Sequence, residues 1–115
     1  MPGRDLRPDQ FEDRRYPLHL PLRFRAYRGP ALVKSGEGET LSIGVRDVLF
    51  STTEAPYDGL VAQLSIDWPV LLDGRTPLQL CIFGEIVSCR EEHVLVRIMD
   101  HELKLKPTLA KGVGR

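Results

Sequence analysis

The sequence predicts a small all-β domain, and three observations carry that prediction. Every second residue is apolar over residues 18–25 and again over residues 60–68. Turn-forming clusters recur between short β-prone runs. No window sustains the helical period over several turns.

Each element follows in order. Residues 1–13 hold Pro2, Gly3 and Pro8 among alternating charges, with Leu6 and Phe11 the only large apolar groups, which predicts a lead-in arm. In Leu18-His19-Leu20-Pro21-Leu22-Arg23-Phe24-Arg25 the even positions are mainly apolar and face one way, the signature of a half-buried strand. Pro21 cannot donate a ladder hydrogen bond and belongs on an edge or at a bulge. Arg28-Gly29-Pro30 turns the chain. Ala31-Leu32-Val33 forms a short strand, and Ser35-Gly36-Glu37-Gly38-Glu39 reads as a polar, glycine-rich break. Thr40-Leu41-Ser42-Ile43 and Val48-Leu49-Phe50-Ser51 are β-prone pieces around a kink at Gly44-Val45-Arg46-Asp47, and residues 53–59 form a loop. Leu60, Ala62, Leu64, Ile66 and Trp68 then alternate with Val61, Gln63, Ser65 and Asp67 in the clearest strand of the chain, which Pro69 is expected to end. Leu72-Asp73-Gly74-Arg75 turns into a long β stretch from Leu78 to Cys89, with Gly84 marking a bend or bulge. Arg90-Glu91-Glu92-His93 is a hairpin turn, and Val94 to Met99 returns as the partner strand. From residue 100 the alternation is lost. The organisation expected is an arm over 1–13, a β domain over 14–100 and a basic tail over 101–115. With so few strands, closure into a barrel protects the edges best.

Composition narrows the function classes. The 115 residues suit one domain, and a chain 42% hydrophobic and 28% charged is not wholly disordered. Sixteen basic residues balance sixteen acidic ones, so any basic binding site must be local, and no general nucleic-acid binder is expected. No apolar run approaches the roughly 20 residues that span a bilayer, and the N-terminal stretch lacks the apolar core of a secretory signal. Cys81 and Cys89 lie too far apart on an extended strand to form a disulfide. Two reduced thiols and a cytoplasmic location are the expectation.

The order of local strings then matters. A polar arm ends in Arg14-Arg15-Tyr16-Pro17-Leu18, a strand follows, and a glycine-rich segment leads into Thr40-Leu41-Ser42-Ile43-Gly44-Val45-Arg46-Asp47-Val48-Leu49-Phe50. The Trp68-Pro69 strand end and a long hairpin around Gly84-Glu85-Ile86-Val87 complete the series. Over residues 11–100 the chain resembles the PilZ domain family. That resemblance implies a six-stranded antiparallel β-barrel and a role as a receptor for the bacterial second messenger cyclic di-GMP. It further implies cytoplasmic signalling, with a protein partner in motility, pilus or polysaccharide control.

Two family motifs hold the nucleotide: Arg-x-x-x-Arg at the mouth of the first strand, and Asp/Asn-x-Ser-x-x-Gly in a later strand and turn. Arginine forks grip phosphates and stack on purine faces, and glycine supplies backbone shapes that other residues avoid. Arg15-Tyr16-Pro17 fits the second arginine; Phe11 stands where the first belongs, and Arg14 is adjacent to Arg15 but not at the family's spacing. With Val48-Leu49-Phe50 as the apolar triplet after the second motif, Ser42 stands for Asp or Asn, Gly44 for Ser and Asp47 for Gly. A shorter register, Thr40, Ser42 and Gly44, keeps the serine and glycine but breaks the spacing. The candidate ligand-binding residues are therefore Arg14, Arg15, Ser42, Gly44 and Asp47. A charged hydrogen bond contributes about 1.5–3 kcal/mol, so these exchanges bear heavily on affinity.

Plainer readings stand beside these. Arg14 and Arg15 also suit a solvated charge pair, and Arg46 and Asp47 a surface turn. Cys81, Cys89, His93 and His101 match no metal-binding spacing, and no metal or cofactor is expected. His19 lies on a polar face and Trp68 is in phase with the core of its strand. Lys104, Lys106, Lys111 and Arg115 make a solubilising end. No nucleophile elbow, phosphate loop or paired acid and base supports an enzyme. A protein-interaction barrel that binds no nucleotide is the alternative to the receptor, and a small β-barrel nucleic-acid binder ranks below both.

Overall fold

Period-two alternation sorts the core-facing segments of this chain into strands. The computed structural model describes residues 15–107, and those residues form seven strands and no helix. They are β1 (Arg15–Tyr16), β2 (Pro21–Arg28), β3 (Ala31–Gly44), β4 (Asp47–Ser51), β5 (Val61–Leu72), β6 (Thr76–Arg90) and β7 (His93–Leu105). All pairings are antiparallel, in the order β1-β3-β2-β5-β6-β7-β4. Because β4 also pairs with β3, the strands from β2 to β7 form a ring of pairings, with β1 attached outside it along the end of β3.

Seven strands replace the expected six because the lead-in to the ring adds the two-residue β1. The glycine-rich segment is no break, so the pieces 31–33 and 40–43 belong to one strand. Gly36 and Gly38 serve close packing there. A Cβ on Gly36 would lie 3.0 Å from the Phe24 ring, and one on Gly38 would lie 2.2 Å from the Ser51 carbonyl oxygen. Glycine inside a strand marks such approaches.

The even positions of β2 and β5 and their counterparts on β4, β6 and β7 fill the ring. Phe24, Phe50, Leu64, Ile66, Ile82, Ile86, Val48, Val94 and Val96 are fully buried, and the Phe24 and Phe50 rings meet at 5.6 Å between centroids. Turn chemistry sets the hairpins. In the two-residue β2–β3 loop Gly29 at φ 58 precedes Pro30, the place where such hairpins need a positive φ, and Asp73 and Gly74 both adopt positive φ in the three-residue loop between β5 and β6. Gly84 sits at a register shift between β6 and β7, and its missing Cβ admits the Arg97 carbonyl oxygen. That is the bulge expected at this glycine.

Two ends differ from expectation. Pro69 does not stop β5, which continues to Leu72; the ladder loses register between Trp68 and Leu72, where a missing N–H costs no bond. Likewise β7 runs to Leu105, beyond the expected boundary at residue 100, because Leu78 to Phe83 supply it a partner. The outer halves of β5, β6 and β7 therefore project from the ring as a three-stranded wing, and the molecule measures 62 × 37 × 23 Å. Trp68 lies at the base of this wing, half-buried and outside the ring's core. Among the described residues no helix is long and apolar enough to cross a membrane.

Candidate functional site

The lip where β1, β3 and β4 meet is built by register. β1 sets Arg15 opposite Gly44 and Tyr16 opposite Ile43. Ile43 pairs with Val48 across the kink, and that fixes faces: Val48 is fully buried, so Ile43 points inward, while Ser42, Gly44 and Asp47 fall on the outer face. Arg15 then reaches across them. Its Nη1 donates to Ser42 Oγ at 2.8 Å, and its Nη2 donates to the Asp47 carboxylate in an ion pair.

The approach to the lip is held from beneath by Thr40. Its side chain is fully buried, its Oγ1 accepts from the Leu20 N–H at 2.8 Å, and its hydroxyl donates to the Leu18 carbonyl. Its own N–H donates to the Leu20 carbonyl at 2.9 Å. One residue thus fixes the segment that joins β1 to β2 and, with it, the direction in which Arg15 enters.

Of the residues singled out from sequence, the structure brings Arg15, Ser42, Gly44 and Asp47 to one place. Arg14 and Phe11 lie outside the described residues. Sequence reasoning missed Arg97 and Glu85. Arg97 is the cross-strand partner of Asp47 on β7, Glu85 is the partner of Arg97 on β6, and the two form an ion pair. A row of alternating charge therefore runs from Arg15 through Asp47 and Arg97 to Glu85. The inward alternation of Val94 and Val96 places Arg97 outward, but only the β4–β7 pairing, distant in sequence, sets it beside Asp47.

The chemistry of this lip is that of an anion site with its own counter-ion in place. The guanidinium fork can hold a phosphate or carboxylate, but Asp47 occupies one prong. A wider groove lies elsewhere, on the outer face of β3, β2 and β5, lined by Arg23, Arg25, Glu37 and Asp67 among others. It carries charges of both signs, and Lys106 pairs there with Asp67 at 3.2 Å; the lip is the place where the residues singled out from sequence meet.

The other candidates stay apart. Cys81 and Cys89 are free thiols. Burial first, and the Asp58 carboxylate second, push the Cys89 thiol up from its ordinary value, away from the reactive thiolate. Among the described residues no group of His, Cys, Asp or Glu is arranged to hold a metal ion. Comparison with protein-family models, curated proteins and solved structures finds no match to this chain.

Proposed function

We propose that this chain is a PilZ-like regulatory binding domain, a six-strand barrel plus an arm strand, whose Arg15 lip is the candidate site for cyclic di-GMP. One observation carries the reading: Arg15 converges with Ser42, Gly44 and Asp47 at the ring's end, the set that the resemblance aligns with the nucleotide motifs. Arg15 supplies the phosphate grip, Ser42 holds the guanidinium in orientation, and Gly44 keeps its neighbour's side of the lip low.

Asp47 governs affinity. It stands where the family has glycine and pairs with the cation that a phosphate must claim. An exposed pair of this kind contributes about 0–1 kcal/mol, so it is readily exchanged, but a carboxylate left beside a bound phosphate repels it. Calorimetric titration with cyclic di-GMP tests the reading. The wild type binds weakly, Arg15→Ala abolishes binding, and Asp47→Gly tightens it by roughly tenfold, the effect of removing about 1.4 kcal/mol of repulsion. No heat from either the wild type or Asp47→Gly at millimolar ligand would sink the receptor reading.

The same ion pair favours a second reading, a module that works through a protein partner in motility, pilus or polysaccharide control without nucleotide. In that case the Arg15–Asp47 pair is a finished structural clasp, and neither substitution creates binding.

A further inference from the structure

The outer half of β7 is a sheet edge complementary to itself. Residues His101 to Leu105 pair with β6 on one side; β4 covers β7 only from His93 to Arg97, and among the described residues no strand pairs with the other side. The direction of the backbone groups is fixed at both ends of this stretch. Lys106 N–H donates inward to the Pro77 carbonyl at 3.0 Å, whereas Ile98 N–H donates outward to the Arg46 carbonyl at 2.7 Å. The register shift after Ile98 reconciles the two. Alternation then points the N–H groups of Glu102 and Lys104 at β6, and those of His101, Leu103 and Leu105 away from it. His101 bears this out: its N–H is capped only by the neighbouring Asp100 carboxylate, at 2.9 Å.

The side chains on this edge are sorted as sharply. Leu103 and Leu105 share a face with Leu80 and Leu78, their partners on β6, and both are at least half exposed. Asp100, Glu102 and Lys104 share the opposite face. Edge strands usually carry charge to prevent pairing. Here the charge runs from negative to positive along the strand, Asp100 and Glu102 preceding Lys104, so a copy run antiparallel meets opposite charges.

We propose that the β7 edge from His101 to Leu105 pairs antiparallel with the same edge of a second copy, across a two-fold axis at Leu103. In that register Leu103 exchanges backbone hydrogen bonds with Leu103 of the partner subunit, and His101 does so with Leu105 of the partner subunit. Glu102 faces the partner's Lys104, twice by symmetry. The apolar row Ile66–Leu80–Leu103 continues through the axis into its own copy. A register centred on Glu102 would instead set that carboxylate against itself and leave Leu103 beside His101 of the partner subunit, so charge selects the axis at Leu103. The interface is isologous, as two-fold dimers require.

Sedimentation of the full chain over a wide concentration range is the test. The wild type forms a dimer. Glu102→Lys and Lys104→Glu each weaken it by roughly tenfold, since like charges directly opposite one another repel at two symmetric places. The double variant E102K/K104E regains the wild-type constant, because each new lysine again faces a glutamate. Leu103→Pro removes an outward N–H without touching the β6 ladder, and yields a monomer whose circular dichroism is unchanged. A wild type that stays monomeric at every concentration overturns the proposal and leaves the edge to a different partner. So does a dimer that Leu103→Pro leaves intact, or a double variant that fails to recover.

Discussion

Arg15 and Thr40 define the lip at the scale of single residues, and they do so by different physics. Arg15 makes two polar contacts in a solvated setting, where each is weak and replaceable. Thr40 makes its contacts in full burial, where replacement is costly. Its hydroxyl serves both the Leu20 N–H and the Leu18 carbonyl, and neither group has another partner within the strand ladder. Thr40→Val keeps the shape and removes the hydroxyl. The expected loss is about 2 kcal/mol, from leaving a buried backbone group unpaired, measured as a shift of the urea midpoint with an unchanged m-value. Thr40→Ser keeps the hydroxyl and loses less than half as much. Equal stability of Thr40→Val and the wild type would mean that the segment from Leu18 to Leu20 is not held through this side chain. Arg15→Ala, by contrast, leaves the midpoint nearly unmoved.

At the scale of elements, glycines decide how strands lie on one another. Gly38 in β3 admits the Ser51 carbonyl where β4 ends, close to where Thr52 donates to the Glu37 carbonyl at 2.7 Å. Gly38→Ala therefore drives a methyl into backbone that this bond and the Thr52 N–H bond to the Glu92 carbonyl, at 2.9 Å, hold in place. It should destabilise by about 3 kcal/mol, the upper range for overpacking, and thermal denaturation reads the change. Gly29→Ala meets nothing within 4 Å. It suffers only the strain of its positive φ, about 1 kcal/mol, so a smaller effect at Gly38 than at Gly29 would refute the packing argument. The same glycine explains what could be read in the sequence. Alternation revealed β2, β5, the β6–β7 hairpin and the turns between them, because one buried face imprints period two on the chain. In β3 the cue pointed the wrong way: Gly36 and Gly38 among glutamates and a serine look like a loop, and their purpose appears only when Phe24 and Ser51 are set beside them. The outer halves of β5 and β7 were hidden for a related reason. Neither face of the wing is buried deeply enough to enforce alternation beyond Trp68 or Met99. At the lip, the family resemblance singled out Arg15, Ser42, Gly44 and Asp47 because they lie in local strings, and the register of β1, β3 and β4 gathers them. It missed Arg97 and Glu85, which reach the site through pairings between strands remote in sequence.

The whole molecule divides into a closed ring and an open wing, and the two should differ in local stability. In the ring, Phe50, Leu64, Val94 and Val96 are fully buried, and each strand has neighbours on both sides. In the wing, Val70, Leu71, Leu72, Leu103 and Leu105 are exposed, and β5 and β7 each have one free edge among the described residues. Burial of apolar surface is the main stabilising term, so the wing can open without the ring. Native-state hydrogen exchange distinguishes the two parts. The amides of Leu64, Val94 and Val96 should exchange only on global unfolding. Those of Glu102 and Lys104 should exchange at least about a hundredfold faster, through local opening. These two amides point toward β6, so their protection reports the wing itself and not whatever lies along its outer edge. The measurement is best made on Glu102→Lys as well as the wild type, to separate opening of the wing from any assembly at β7. Should the wing amides prove as slow as those of Val94 and Val96 in both proteins, ring and wing would unfold as one unit.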